Sequence, residues 1–122
     1  MMTPISEDWP TEIRLNPAKD LLHIAFEDGK RFALPAEFLR VYSPSAEVTG
    51  HGAEERKIVP GKRDVLIARI EPVGNYAVRL IFSDGHGTGI FSWVYLREVG
   101  EGQAKLWEDY LAAVAERGLS RD

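Results

Sequence analysis

The sequence contains no cysteine, and that one absence excludes disulfides, thiolate metal sites, self-ligated iron–sulfur clusters and cysteine nucleophiles together. Histidine is scarce: there are three, His23, His51 and His86. Long apolar runs are missing too, and no stretch approaches the roughly 20 residues a membrane-spanning helix needs. The first residues lack the basic start and apolar run of a secretory signal, so the cytoplasm is the expected location. A basic surplus is also absent: 15 Lys and Arg stand against 19 Asp and Glu, for a net charge of −4. That balance argues against an extended nucleic-acid face. The one basic cluster, Arg56, Lys57, Lys62 and Arg63, sits in a loop-like stretch and reads as solvated.

What is present is the composition of a globular domain. The 122 residues are 44% hydrophobic and 28% charged, enough for one core without metal or disulfide support. Residues 1–11, polar and interrupted by Pro4 and Pro10, read as a loose arm pinned by Trp9. Residues 12–118 form the single domain and 119–122 a tail.

Alternation places Ile13 and Leu15 on one face of a first strand, and Leu22, Ile24 and Phe26 on one face of a second, with His23 outward. Asp28-Gly29 is a hairpin turn signal, after which Phe32 and Leu34 return inward. Pro35 suits the first turn of a short helix over 36–41, which half-buries Phe38, Leu39 and Val41. Residues 42–64 have no sustained period and read as a long connection. Residues 65–73 and 77–82 form a second hairpin around Gly74, Asn75 and Tyr76, in the register that pairs Ile70 with Leu80, Ala68 with Phe82 and Glu71 with Arg79. Ser92 caps a short helix to Val99, Gly100-Glu101-Gly102 breaks the chain, and 103–117 is the best helix, with Leu106, Trp107, Tyr110, Leu111 and Val114 on its stripe. Gly118 ends it. The fold class is therefore α+β: antiparallel hairpins in a small sheet with a C-terminal helix packed on it.

One device occurs twice. Phe26-Glu27-Asp28-Gly29 followed by Phe38-Leu39-Arg40 is echoed by Phe82-Ser83-Asp84-Gly85 followed by Tyr95-Leu96-Arg97, with one residue of slippage. Only the second copy carries a histidine and extra glycines. Gly85-His86-Gly87-Thr88-Gly89 has the glycine density of a phosphate loop but lacks the Lys-Ser/Thr and helix of a P-loop and the βαβ setting of a dinucleotide fold. Hairpin geometry explains these glycines better. His86 is the leading candidate for chemistry, with Asp84 as its local carboxylate; a turn histidine bonded to backbone or carboxylate is the competing reading. His51 reads as a loop residue, and nothing in the spacing unites the three histidines in a metal site. Ser43 and Ser45 have no histidine or acidic neighbour in sequence to make a nucleophile. Phe91, Trp93 and Tyr95 fit either core packing or a partly exposed partner surface. Arg40 and Arg97 serve either that surface or the ends of their short helices.

Asp84-Gly85-His86-x-Thr88-Gly89-Ile90-Phe91-Ser92-Trp93-x-Tyr95-Leu96-Arg97, with Leu34-Pro35-Ala36-Glu37-Phe38-Leu39-Arg40, resembles the DUF971 family. That family is also called the gamma-butyrobetaine hydroxylase-like N-terminal domain, and the resemblance runs from Glu12 to Leu111. It implies a domain that precedes an iron(II), 2-oxoglutarate-dependent catalytic domain in some proteins. In others it stands alone in bacteria or is fused behind Mrp-type P-loop ATPases carrying iron–sulfur clusters. In the dioxygenases the domain holds zinc through three cysteines and the histidine of the Asp-Gly-His motif. Carried over, those positions fall near Ser43, Ser45 and Val48, and on His86. This chain keeps the histidine and has no thiolate, so the resemblance implies a lost metal site. The acidic residue often found between the motif's Trp and Tyr is Val94 here. Nothing in the chain corresponds to the facial triad of the catalytic domain, so hydroxylase activity is not implied.

The expectation is a non-enzymatic binding or accessory module without a cofactor. Its partner is a protein, with an Mrp-type ATPase of iron–sulfur maturation as the class the resemblance gives. The candidate binding residues are His86, Asp84, Trp93, Tyr95, Arg97 and Arg40. The alternative is a metal- or small-ligand-binding domain related to the zinc-binding one, with its cysteine ligands lost.

Overall fold

Period-two alternation of apolar residues produces two three-stranded antiparallel sheets, each followed by a helix. In the computed structural model, which describes residues 9–44 and 59–122, the first sheet has the order β1-β2-β3, from β1 (Pro10–Leu15), β2 (Leu21–Phe26) and β3 (Arg31–Pro35). The second has the order β4-β5-β6, from β4 (Ile67–Val73), β5 (Ala77–Phe82) and β6 (Ile90–Ser92). Helix α1 (Ala36–Val41) follows β3, and α2 (Trp93–Glu101) follows β6. Helix α3 (Gln103–Glu116) completes the α+β fold.

The duplicated device is a β-β-β-α unit. Phe26 donates its amide to the Lys30 carbonyl at 2.9 Å and Phe82 to the His86 carbonyl at 2.8 Å; Gly29 and Gly85 each donate back to the phenylalanine carbonyl at 3.0 Å. The glycines have φ of 94° and 93°, a left-handed conformation that a side chain would strain. Both outer pairs carry a bulge opposite the residues that precede the turn, at Thr11 in the first unit and Ala68 in the second. The register of the second hairpin is the expected one at Ile70–Leu80 and Glu71–Arg79. The bulge, however, pairs Ile67 rather than Ala68 with Phe82, and Ala68 is exposed. Glu71 makes its ion pair with Arg69.

The inner faces share one core. Leu22, Ile24 and Phe26 from β2 meet Val78, Leu80 and Phe82 from β5, and Phe38, Leu39, Leu96 and Val99 close it from α1 and α2. Phe38 and Leu39, expected to be half-buried, are 1% and 0% exposed. Ile13 and Leu15 flank this core. Ser92 caps α2 by accepting the Tyr95 amide at 3.0 Å. That helix runs through Gly100 to Glu101, two residues past the expected end at Val99, and the glycine at 100 seats the Phe32 ring where a β-carbon would intrude. Helix α3 packs on α1, with Tyr110 and Val114 against Val41, while Leu111 leaves the stripe and is exposed. The Leu119 amide bonds the Val114 carbonyl and the Gly118 amide the Ala115 carbonyl, a Schellman closure with Gly118 at φ 67°.

Two boundaries shift. β1 begins at Pro10, and Trp9 is pinned through its carbonyl to the Glu27 amide at 3.0 Å. The expected tail is docked: Ser120 and Arg121 carbonyls accept the Gly61 and Arg63 amides at 2.9 and 3.0 Å. Most of the long 42–64 connection lies outside the described residues.

The two units exchange arginines. Arg97 of α2 holds Asp28 of the first turn, Nη2 to Oδ2, at 2.6 Å, and Arg40 of α1 holds Asp84 of the second, Nε to Oδ2, at 2.8 Å. Each aspartate turns its Oδ1 to the amide two residues on, Lys30 or His86, at 3.1 Å. The arginines thus serve the opposite unit's turn, a role that neither sequence reading, partner surface or helix end, includes. Arg97 also lies 5.2 Å above the Phe26 ring and pairs with Glu101.

Gly100→Ala places a β-carbon 2.8, 2.9 and 3.0 Å from ring atoms of Phe32. The overpacking cost, about 1–3 kcal/mol, exceeds alanine's helix advantage of about 1 kcal/mol. Thermal unfolding should show a midpoint lowered by about 3–6 °C. Burial raises the Asp84 pKa, but the Lys62 ammonium, the His86 amide and Arg40 outweigh it and hold the carboxyl at about 2. A depressed carboxylate adds stability above its unfolded value of 3.8 and loses it as pH falls through about 2. Denaturant titrations of wild type and Asp84→Asn should differ by on the order of 1 kcal/mol near neutral pH, after allowance for solvent screening. That difference should shrink below about pH 4.

Candidate functional site

The second turn is distinguished by what surrounds its histidine. Its backbone is fixed by the Asp84 carboxylate and the Phe82 amide, and the half-buried ring lies 6.0 Å, centroid to centroid, from the ring of Phe82. Nε2 of His86 stands 2.9 Å from Oγ of Ser43, at the end of α1. The ring therefore faces a serine inside the protein instead of projecting from the hairpin end. Ser43 is 2% exposed, so this hydrogen bond satisfies a hydroxyl that would otherwise be buried without a partner.

The neighbouring glycines follow from the same packing. A β-carbon on Gly89 would stand 2.0 Å from Ser43 Oγ, and one on Gly87 3.1 Å from Cδ1 of Ile81. They give close approach to the chain's own side chains. Lys62 Nζ reaches Asp84 Oδ2 at 2.6 Å, beside Arg40. One carboxylate thus holds two cations, and a cleft of about 360 Å³ opens next to it between Lys62, Ser83 and Arg121.

The six candidate residues divide into three places. His86, Asp84 and Arg40 meet at the second turn. Arg97 belongs to the first, where Asp28 and Glu101 raise its pKa by hydrogen bonding and it in turn lowers that of Asp28. Trp93 and Tyr95 are structural anchors: Trp93 Nε1 donates to the Asn75 carbonyl at 2.9 Å, and the Tyr95 hydroxyl to the Tyr42 carbonyl at 2.5 Å. Tyr95 also packs 6.0 Å from Phe91, which is fully buried. His23 is half-buried on the outer face of the first sheet, between Arg14 and Ala33 of the adjoining strands. His51, Ser45 and Val48 lie outside the described residues. Lys62 reads in the sequence as a solvated loop cation, because nothing in its neighbourhood signals a partner 22 residues away at Asp84.

Zinc does not suit this donor set. His86 supplies one imidazole, and Ser43 supplies a hydroxyl, a poor zinc ligand, already at hydrogen-bond distance from it. Among the described residues no three His, Cys, Asp or Glu side chains group as ligands. No helix among them is long and apolar enough to cross a membrane.

The family profile described as gamma-butyrobetaine hydroxylase-like, N-terminal, matches residues 13–97. Two solution structures determined by NMR are similar to the chain. One is 46% identical, covers 93% of this chain and 89% of its own, and superposes with a TM-score of 0.80. The other is 47% identical, covers 99% and 91%, and has a TM-score of 0.81. A crystal structure of a DUF971 protein of unknown function from Acidithiobacillus ferrooxidans is 40% identical, covers 78% of this chain and 96% of its own, and has a TM-score of 0.65. No curated protein matches the chain. With the duplicated turn, the Ser92-capped helix and the Asp84–His86 motif all inside the matched span, the chain belongs to the DUF971 family, the gamma-butyrobetaine hydroxylase-like N-terminal domains.

Proposed function

We propose that the chain is a non-catalytic accessory module that binds a protein partner, with an Mrp-type ATPase of iron–sulfur maturation as the partner class. The observation that carries the binding role is an exposed apolar strip at one corner of the second sheet. Tyr76, Ile90 and Val94 are 56%, 41% and 61% exposed. Tyr76 and Val94 flank Trp93, whose amide donates to the Tyr76 carbonyl at 3.0 Å, and Ile90 opens the strand that leads into the same helix. Clustered large apolar groups in water favour burial by another protein. The partner class comes from the resemblance to domains fused behind such ATPases, and a cytoplasmic setting goes with it.

The chemistry at the second turn fits a binding role better than a catalytic one. Ser43 is too buried for a substrate to reach. Asp84, with two cations and an amide on it, is too weak a base to draw a proton near neutral pH. A metal- or small-ligand-binding domain remains the second reading, favoured by the meeting of Ser43 and His86, two positions that the zinc-binding relatives would use together.

Calorimetry with a purified Mrp-type ATPase from the same organism should show binding that Ile90→Glu with Val94→Glu weakens at least about tenfold, as expected when apolar anchors are charged. Absence of binding, or affinity indifferent to both substitutions, would remove the accessory reading. Elemental analysis of protein purified without an affinity tag should find no stoichiometric transition metal, and a chelator should leave the unfolding midpoint unchanged. One zinc per chain, lost on His86→Ala, would transfer the weight to the second reading.

A further inference from the structure

Glu37 lies on α1 with 7% of its side chain exposed. An ionised carboxylate at that depth requires a cation whose hydrogen-bond geometry matches both oxygens. Arg121 supplies it from the end of the described chain, with Nη2 2.8 Å from Oε1 and Nε 2.9 Å from Oε2. The guanidinium carbon also lies 5.3 Å above the Trp107 ring, so one planar group is forked on a carboxylate and stacked on an indole. Around this slot the backbone is read as well. The Gly61 and Arg63 amides donate to the Ser120 and Arg121 carbonyls, and the Arg63 side chain pairs with Asp122.

Slot, backbone donors and flanking cation together specify an extended segment in which arginine precedes an acidic residue. We propose that this cradle is a peptide-recognition site for such a segment, filled in cis by Ser120–Asp122. Lysine would serve it poorly, since an ammonium cannot span both carboxylate oxygens. The occupant is separable from the fold. Helix α3 is closed by its own Schellman bonds at Gly118, before the segment begins, and Leu119 between them is exposed. Undocking therefore uncovers Glu37 without unwinding the helix, and frees its two oxygens to accept another guanidinium. A partner's segment would compete with the tethered one, whose effective concentration is high, so exchange requires a longer or better-fitting sequence. This site does not involve His86 or the apolar strip, and its failure would leave the accessory reading intact.

The test uses the full chain carrying Arg121→Ala, which empties the slot, and the blocked tetrapeptide acetyl-Leu-Ser-Arg-Asp-amide as probe. At millimolar concentration the peptide should raise the thermal midpoint of Arg121→Ala and shift the Trp107 indole resonance. It should leave wild type unmoved, and an analogue with lysine for arginine should give less than about a third of the shift, because bidentate pairing is lost. Adding Glu37→Gln should abolish the effect. A peptide that raises neither midpoint, raises both equally, or acts regardless of Glu37→Gln would overturn the proposal. If Arg121→Ala does not fold, Arg121→Lys replaces it under the same criteria.

Discussion

The exchange of Arg40 and Arg97 between the two units is the constraint on which the architecture depends. A three-stranded sheet with one apolar face cannot bury it alone, and stacking it against a second sheet leaves their relative rotation open. The Asp-Gly turns remove that freedom. Each presents one carboxylate oxygen to its own backbone and the other to the arginine that follows the opposite unit's third strand. Because the side chains of Arg97 and Arg40 are only 16% and 15% exposed, their fork geometry acts close to the core rather than in open solvent. Directional pairs at that depth favour one arrangement over others of similar apolar burial.

On this frame the second unit departs from the first. Its turn carries His86 where the first has Lys30, and three loop residues separate it from a shortened β6. The histidine ring reaches across to Ser43, and the chain passes so close to that serine that position 89 has no room for a side chain. The glycines, which alone resemble a ligand loop, are thus accounted for by contacts within the protein. Lys62 then adds a second cation to Asp84, something Asp28 does not receive from the corresponding side among the described residues.

Much of this was legible in the sequence. Hairpin turns, strand faces, the Ser92 cap and the internal echo follow from local rules of period and turn chemistry, and the structure keeps them. The misreadings share a cause, which is tertiary contact overriding local preference. Gly100 reads as a helix breaker, yet it lies within the helix and its missing side chain leaves room for the Phe32 ring. Ala68 was expected to pair with Phe82 and is displaced by a bulge that sequence alternation does not reveal. Arg40 and Arg97 fit either a partner surface or their own helix ends in the sequence, since a partner 44 or 69 positions away carries no signal in a single sequence. The echo itself held the clue: two repeated Asp-Gly turns and two repeated Leu-Arg segments offer two pairings, within units or between them, and only between them do both arginines reach across the core.

The Ser43–His86 contact joins the segment after α1 to the Asp-Gly-His turn. Here one hydrogen bond spans the same two segments, with both polar atoms satisfied and the hydroxyl sealed from water. The ion pairs of Asp84 with Arg40 and Lys62 reinforce it from the same turn. The corner is thus held by side chains of the protein itself: the Ser43–His86 hydrogen bond fixes the turn from within, and the two cations on Asp84 fix it nearer the surface.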